Sequence, residues 1–200
     1  MIRLAGMLCA VLIGTSFSAC THDDDYDTTA DGEIIGTWDA TPGFDAAMNT
    51  EIPAYEYFFQ TMTTGETEYK DDNPDTFEGV ERPVQYDRVT FTATLDGGHA
   101  IFYQKDANGN YVEKAKYIAR YSEQKIELYN IEKTVTEEIK DEDGNVINTV
   151  EKVVPDLSLF KEYTVENLDG DWLKIVWNKS QRVVVTYTNQ YESYNFKRVK

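Results

Sequence analysis

The stretch YDRVTFTATLDGGHAIFYQK, residues 86–105, decides the fold. Its first half alternates, with Val89, Phe91 and Ala93 on one side and arginine and threonine on the other. Successive side chains of a β-strand point to opposite faces, so this pattern predicts a strand with one buried face. An Asp-Gly-Gly turn at residues 96–98 then leads into a second strand-like run, and the whole stretch is predicted to form a β-hairpin.

Further hairpins follow the same plan. Turn residues occur at 106–110, 141–145 and 169–171, and strand-like runs flank each turn. Helical periodicity is missing from these runs. We therefore predict an all-β domain, an antiparallel up-and-down β-barrel of about 8–10 strands, because hairpin-after-hairpin order favours a barrel. A two-layer sandwich is the alternative, and it would need Greek-key connections.

The connection over residues 41–85 interrupts this plan. It contains the aromatic run AYEYFFQTM, residues 54–62, which we expect to form either a short helix or an extra strand. Connections of this length are uncommon in compact domains and often act as lids or binding loops.

The first 19 residues have the features of an export signal. Arg3 precedes an apolar run that is too short to span a membrane as a permanent helix. The residues Phe-Ser-Ala-Cys at 17–20 resemble a lipobox, although Phe17 stands where Leu is usual. The resemblance implies cleavage before Cys20 and attachment of a diacylglycerol and a fatty acyl group to it. An ordinary secretory signal is the alternative, and since Cys9 is removed with either signal, no disulfide is expected.

Residues 20–33 are predicted to be the lipidated cysteine and a flexible acidic tether, and residues 34–200 the barrel domain. The acids after Cys20 resemble a signal that sends lipoproteins to the outer face of the outer membrane. We therefore expect an outer-membrane protein, anchored through the Cys20 lipid and displayed on the cell surface, with a periplasmic orientation as the alternative. The net charge of −17 repels phosphate backbones, so nucleic acid is not an expected partner.

A short motif links the first strand to the last. Gly36-x-Trp38, together with Arg198 in the closing run YNFKRVK, resembles the signature of the lipocalin-like (calycin) barrels. The hairpin LDGGHAIFY is also similar to small domains of this kind in surface lipoproteins of Gram-negative bacteria. The resemblance implies that Trp38 plugs the closed end of the barrel and that Arg198 lies across its ring. A sheltered guanidinium over an indole contributes roughly 0.5 to 2 kcal/mol.

Catalysis is not expected from this sequence. The only histidines are His22, in the predicted tether, and His99, on a strand. Zinc sites draw on Cys and His together, so neither a metal nor another cofactor is expected. The DEDGN run at residues 141–145 suggests calcium, but the glutamate of the twelve-residue calcium loop is missing, which favours a turn.

Aromatic residues suggest binding. The chain has 14 Tyr, 9 Phe and 3 Trp, which inside a barrel either fill the core or line a ligand cup. The candidate ligand-binding residues are Tyr103, Tyr117, Tyr121, Trp177 and Tyr187. We expect a non-catalytic protein that binds a small hydrophobic or aromatic molecule, or a glycan fragment. The alternative is a protein-interaction or inhibitor module, similar to small barrels that block proteases or lysozymes, which acts through its loops.

Overall fold

The computed structural model describes residues 33–93, 98–122, 124–140 and 144–200. These residues form fourteen strands and one 3-10 helix, Pro74–Thr76. The strands are β1 (Gly36–Ala40), β2 (Gly43–Asp45), β3 (Thr50–Ile52), β4 (Tyr55–Thr63), β5 (Lys70–Asp71), β6 (Arg88–Thr92), β7 (Gly98–Lys105), β8 (Tyr111–Tyr121), β9 (Lys125–Tyr129), β10 (Glu132–Lys140), β11 (Val146–Pro155), β12 (Leu159–Asp169), β13 (Trp172–Val183) and β14 (Thr186–Arg198). Across the described ranges, no helix has the length and apolar character needed to cross a bilayer.

Eight of these strands form a closed barrel. Their order around the barrel is β1-β6-β7-β8-β9-β12-β13-β14, and β14 pairs back onto β1. Every pair is antiparallel, and neighbours in the ring follow one another along the chain once the excursions between them are set aside. The predicted up-and-down barrel is thus confirmed, and the sandwich is excluded.

Two separate strands pair, one after the other, with the same edge of β14. Both β1 and β4 pair with β14, β1 through Ala40 opposite Phe196 and β4 through Tyr55 opposite Tyr194. Asn195 joins these two strands, because its backbone carbonyl accepts from the Thr41 amide and its backbone amide donates to the Ala54 carbonyl. The β2–β3 hairpin loops out between them, so β14 keeps a partner along most of its length.

The run AYEYFFQTM is therefore a strand, β4, and the helical alternative is wrong. The burial of this run alternates as in a strand, because Phe59 and Thr61 are buried while the residues next to them are more exposed. Residues 77–87, which we name the mouth strap, then cross to β6 without regular structure.

The strand-like runs predicted on either side of residues 141–145 are present as β10 and β11. These strands pair only with each other among the described residues and lie outside the ten-stranded sheet that contains the barrel. Most of their side chains are exposed, including Val146, Ile147 and Val153. We call this hairpin the arm.

The core follows the inward face of each barrel strand. Alternate residues of β6, β7 and β9 are buried, as the period of two requires. The buried apolar cluster consists of Ile34, Trp38, Val89, Phe91, Ala100, Phe102, Ala119, Tyr121, Ile126, Leu128, Tyr163, Leu173, Ile175, Tyr194 and Phe196. The predicted signal segment, Cys20 and the tether up to residue 32 lie outside the described residues.

Candidate functional site

The closed end of the barrel is sealed by Trp38. Its side chain has no solvent exposure, and its indole N–H donates to the Ile34 carbonyl at 2.8 Å. The guanidinium carbon of Arg198 lies 4.1 Å from the centroid of the Trp38 ring. Gly36 has a φ of +139°, a conformation that favours glycine, and a Cβ built there would lie 2.8 Å from Nη1 of Arg198 and displace this guanidinium. The structure brings together all three residues of the motif.

Arg198 also ties two chain segments, residues 33–35 and the turn at Gly170, to this seal. Its Nε donates to the Gly170 carbonyl at 2.7 Å and its Nη1 to the Ile35 carbonyl at 2.9 Å, while Nη2 donates to the Glu33 carbonyl. Backbone carbonyls thus take the place of a carboxylate partner. Among the described residues, the Trp38 ring fills this end, and each guanidinium nitrogen of Arg198 has a hydrogen-bond acceptor.

The opposite end of the barrel contains a cavity of about 390 Å³. Its rim includes the exposed side chains of Glu81, Arg82 and Lys179. The walls are formed by residues of six barrel strands together with part of the mouth strap. The remaining lining residues are Gly79, Pro83, Val84, Tyr86, Phe102, Tyr117, Leu128, Phe160, Lys161, Tyr163, Trp177 and Gln190. This volume lies within the usual range for small-molecule sites.

Aromatic rings form much of the cavity wall. Tyr117 and Phe160 stack with centroids 4.6 Å apart and planes 10° from parallel. Phe102 contacts Tyr86 at 4.8 Å and Tyr117 at 6.0 Å in tilted and edge-on arrangements. Phe160 is 48% exposed although it stacks on a wall residue, so part of a large apolar face is open to solvent. Such a wall favours a ligand with a flat apolar surface.

A buried ion pair lies inside the barrel beside this wall. Nζ of Lys161 lies 2.5 Å from Oε2 of Glu192, and the exposed fractions of the two side chains are only 11% and 1%. The same ammonium lies 4.5 Å from the centroid of the Trp177 ring. The Tyr163 hydroxyl is 3.4 Å from the other oxygen of Glu192. Each charge therefore has a partner, as burial demands.

Burial and the charge of Glu192 keep the nearby phenols neutral. Desolvation raises the pKa of Tyr163 and of Tyr194 well above the usual value of 10, and the negative charge of Glu192 raises both further. The pKa of Tyr55 is raised for the same two reasons, with desolvation again the larger. The pKa of Tyr117 is raised by desolvation first, then by its neighbour Tyr86, and least by Glu192. These phenols are therefore neutral and do not act as anions.

The mouth strap is fixed in place by one of these phenols. The Tyr194 hydroxyl donates to the Val84 carbonyl at 3.1 Å and accepts from the Tyr86 amide at 3.2 Å. Val80 is buried, and the Gln104 side chain donates to the Gln85 carbonyl. The strap thus holds Arg82 at the rim of the cavity without a regular strand or helix.

The predicted ligand-binding residues separate into three groups. Tyr117 and Trp177 line the cavity. Tyr121 lies in the core, where its ring packs edge-on against Phe91 and its hydroxyl donates to backbone carbonyls of β6 and β7. Tyr103 follows the inward-facing Phe102 and so lies on the outer face of the sheet, and Tyr187 is 38% exposed beside Arg182.

Sequence reasoning missed the charged residues of the site. Glu192 alternates with Gln190 and Tyr194 on the inward face of β14, so period two alone could have marked it as an acid within the barrel. Lys161 alternates with Tyr163 in the same way. Arg82 gave no signal, because the mouth strap has no periodicity.

The site offers contacts to a ligand and no set of metal ligands. Nowhere in the described ranges do three His, Cys, Asp or Glu side chains come close enough to hold a metal ion. The arrangement can enclose a small apolar body and present charged donors at its rim.

No protein-family model matches this chain, and neither a curated protein nor a solved structure matches it. The fold assignment therefore rests on the strand order and on the geometry of the barrel.

Proposed function

We propose that this protein is a non-catalytic lipoprotein with a lipocalin-like barrel, anchored in the outer membrane, which binds a small hydrophobic or aromatic molecule or a glycan fragment. The observation that carries this proposal is the cavity of about 390 Å³ at one end of a barrel whose other end is sealed. A site for one small ligand needs a largely preformed, mostly apolar concavity with a few polar groups. The aromatic wall and the Lys161–Glu192 pair supply both.

The lipocalin-like part of the proposal is supported by the seal at the closed end. A Gly-x-Trp on the first strand and an Arg at the end of the last strand meet through a cation–π contact of 4.1 Å. Eight antiparallel strands in up-and-down order are compatible with that family.

The binding proposal is tested by native mass spectrometry of the full protein, purified from its own host and released from detergent. We expect a bound small molecule in the wild type and its loss in Trp177→Ala, because the Trp177 ring lines the cavity. Trp172→Ala is the matched control, since Trp172 is absent from that lining and contacts Lys197 instead. Equal occupancy in the two variants would contradict binding in the cavity.

The proposed anchor rests on the Phe-Ser-Ala-Cys sequence at residues 17–20 and on the acids that follow it. Metabolic labelling with an alkyne fatty acid should mark the wild type and leave Cys20→Ala unlabelled. Digestion of intact cells with protease then distinguishes display on the surface from a periplasmic orientation.

A second candidate function is contact with a protein through the loops. The arm favours it, because exposed aliphatic residues line a two-stranded ribbon that pairs with no other described strand. A basic lysozyme is a suitable probe for this acidic chain. Binding that is weakened by Val150→Lys and unaffected by Trp177→Ala would support this function over the first.

A further inference from the structure

The charges around the cavity differ from those of the rest of the chain. The protein has 36 acidic residues and 19 basic ones. The lining of the cavity reverses this ratio, since it contains the basic residues Arg82, Lys161 and Lys179 but a single acid, Glu81. An excess of cations at one concave site in an acidic protein points to the charge of the ligand.

One of the three cations is already neutralised within the protein. Lys161 is paired with Glu192 at 2.5 Å, and this pair is almost fully buried. Its charge is therefore balanced before any ligand enters, and it does not by itself select an anion.

The other two cations have no such partner. Among the ion pairs between described residues, none includes Arg82 or Lys179. Glu81 does not serve either of them, although it lines the same cavity. Arg88, by contrast, contacts the carboxylate of Asp39 through two nitrogens.

The arrangement of charge and apolar surface gives the ligand an orientation. Arg82 and Lys179 are exposed and stand at the rim, while the half-buried rings of Tyr117 and Trp177 lie within. An anionic group at the rim would remain partly hydrated, whereas the apolar body would leave water entirely. This division suits a molecule with one apolar end and one acidic end.

We infer that the ligand is a small aromatic carboxylic acid, whose rings pack against Trp177 and Tyr117 and whose carboxylate is bound by Arg82 and Lys179. The inference rests on the proposed function, because it concerns the same cavity. It adds the chemical class of the ligand and the residues that select it.

The test compares two probes of the same shape, naphthalene-1-acetate and the neutral naphthalene-1-acetamide. Binding of each to the full protein is measured by calorimetry at low salt. We expect the acid to bind about tenfold more tightly than the amide, because a hydrogen bond to a charged group contributes on the order of one such factor. Raising the salt concentration should reduce this preference.

Charge-removing variants then assign the preference to named residues. Arg82→Gln and Lys179→Gln should each weaken binding of the acid about tenfold and leave binding of the amide unchanged. Lys116→Gln is the control, since it changes the net charge equally but lies exposed on β8 away from the cavity. It should alter neither affinity.

The outcomes separate the inference from the function beneath it. If acid and amide bind equally, or if Lys116→Gln weakens the acid as much as Arg82→Gln does, the assignment of an acidic ligand is wrong while cavity binding stands. If neither probe binds, and native mass spectrometry finds no retained molecule, both fail. Preference for the acid that is lost in Arg82→Gln and Lys179→Gln alone supports the inference.

Discussion

The two ends of this barrel use their inward-facing residues in different ways. At the closed end Trp38 is fully buried, and each of the three guanidinium nitrogens of Arg198 donates to a backbone carbonyl. At the open end the inward positions include a buried ion pair and a cavity of about 390 Å³. The same eight strands thus support a filled core at one end and a concave site at the other.

This difference locates stability and binding in separate halves of the molecule. Filling a barrel with rings and aliphatic side chains stabilises it by roughly 1.5 to 3 kcal/mol for each large side chain removed from water. A buried ion pair contributes little net stability, because desolvation of the charges offsets their attraction. Residues of the open end are therefore present at some cost in stability, as is common for binding sites.

The largest expected effect is at the closed end. Trp38→Ala should reduce the free energy of unfolding by about 3 to 5 kcal/mol, because it empties a fully buried site. Urea unfolding followed by circular dichroism measures the change. Trp38→Phe keeps a ring but loses the hydrogen bond to Ile34, so it should cost distinctly less. An unchanged midpoint in Trp38→Ala would show that the indole does not seal the barrel.

At the open end the ion pair is the most sensitive point. Glu192→Gln should cost about 3 kcal/mol, because it leaves the ammonium of Lys161 without its counterion in a site that is 11% exposed. The double variant Lys161→Met/Glu192→Gln should regain most of this loss, since neither charge then remains buried. Chemical unfolding of the single and double variants measures both values, and equal losses would contradict a coupled pair.

A smaller effect should appear in alkaline solution. The folded protein raises the pKa of Tyr163 above the usual value of 10, so its contribution is intact below pH 10 and is lost as the pH rises past that value and the unfolded chain ionises. At pH 11 the loss amounts to about 1 kcal/mol for this one phenol. Tyr163→Phe should therefore unfold with a shallower pH dependence above pH 10 than the wild type. Parallel profiles for the two proteins would contradict this prediction.

The arm should have the smallest effect of all. The Asp156 amide donates to the Ile131 carbonyl at 3.0 Å, so the two ends of the arm are adjacent and a short Asn-Gly turn can replace residues 132–155. We expect a change in the free energy of unfolding below about 0.5 kcal/mol, because the arm pairs with no barrel strand in the described residues. Thermal unfolding measures this change, and a large loss would show that the arm supports the barrel.

Local pattern predicted the barrel well, because period-two alternation and turn residues are read directly from neighbouring positions. It predicted the strands β6 to β9 and the arm. The three residues of the predicted motif, Gly36, Trp38 and Arg198, lie together in the structure. It did not resolve β4, since an aromatic run such as YEYFF suits more than one conformation. The pairing of both β1 and β4 with one edge of β14 could not be predicted either, because it joins positions more than a hundred residues apart.

The site was predicted only in part, for a related reason. Tyr117 and Trp177 were predicted correctly because they are aromatic residues on predicted strands, and both line the cavity. Tyr103 and Tyr187 have the same residue type but lie outside the cavity, which shows that type without the direction of the side chain is insufficient. Arg82 reaches the rim through an irregular segment, and tertiary contacts such as those of Tyr194 and Gln104 place that segment.

Strand β14 gives the folding of this barrel a definite order. It pairs with β13, with β1 and with β4, and it follows all three in the chain. In a polypeptide that is synthesised amino end first, the ring therefore cannot close until residues 186–198 are available. Contacts between such distant positions form slowly because long loops must be ordered first. Until then both β1 and β4 expose a free edge, so the unfinished barrel is at greatest risk of aggregation in the interval just before closure.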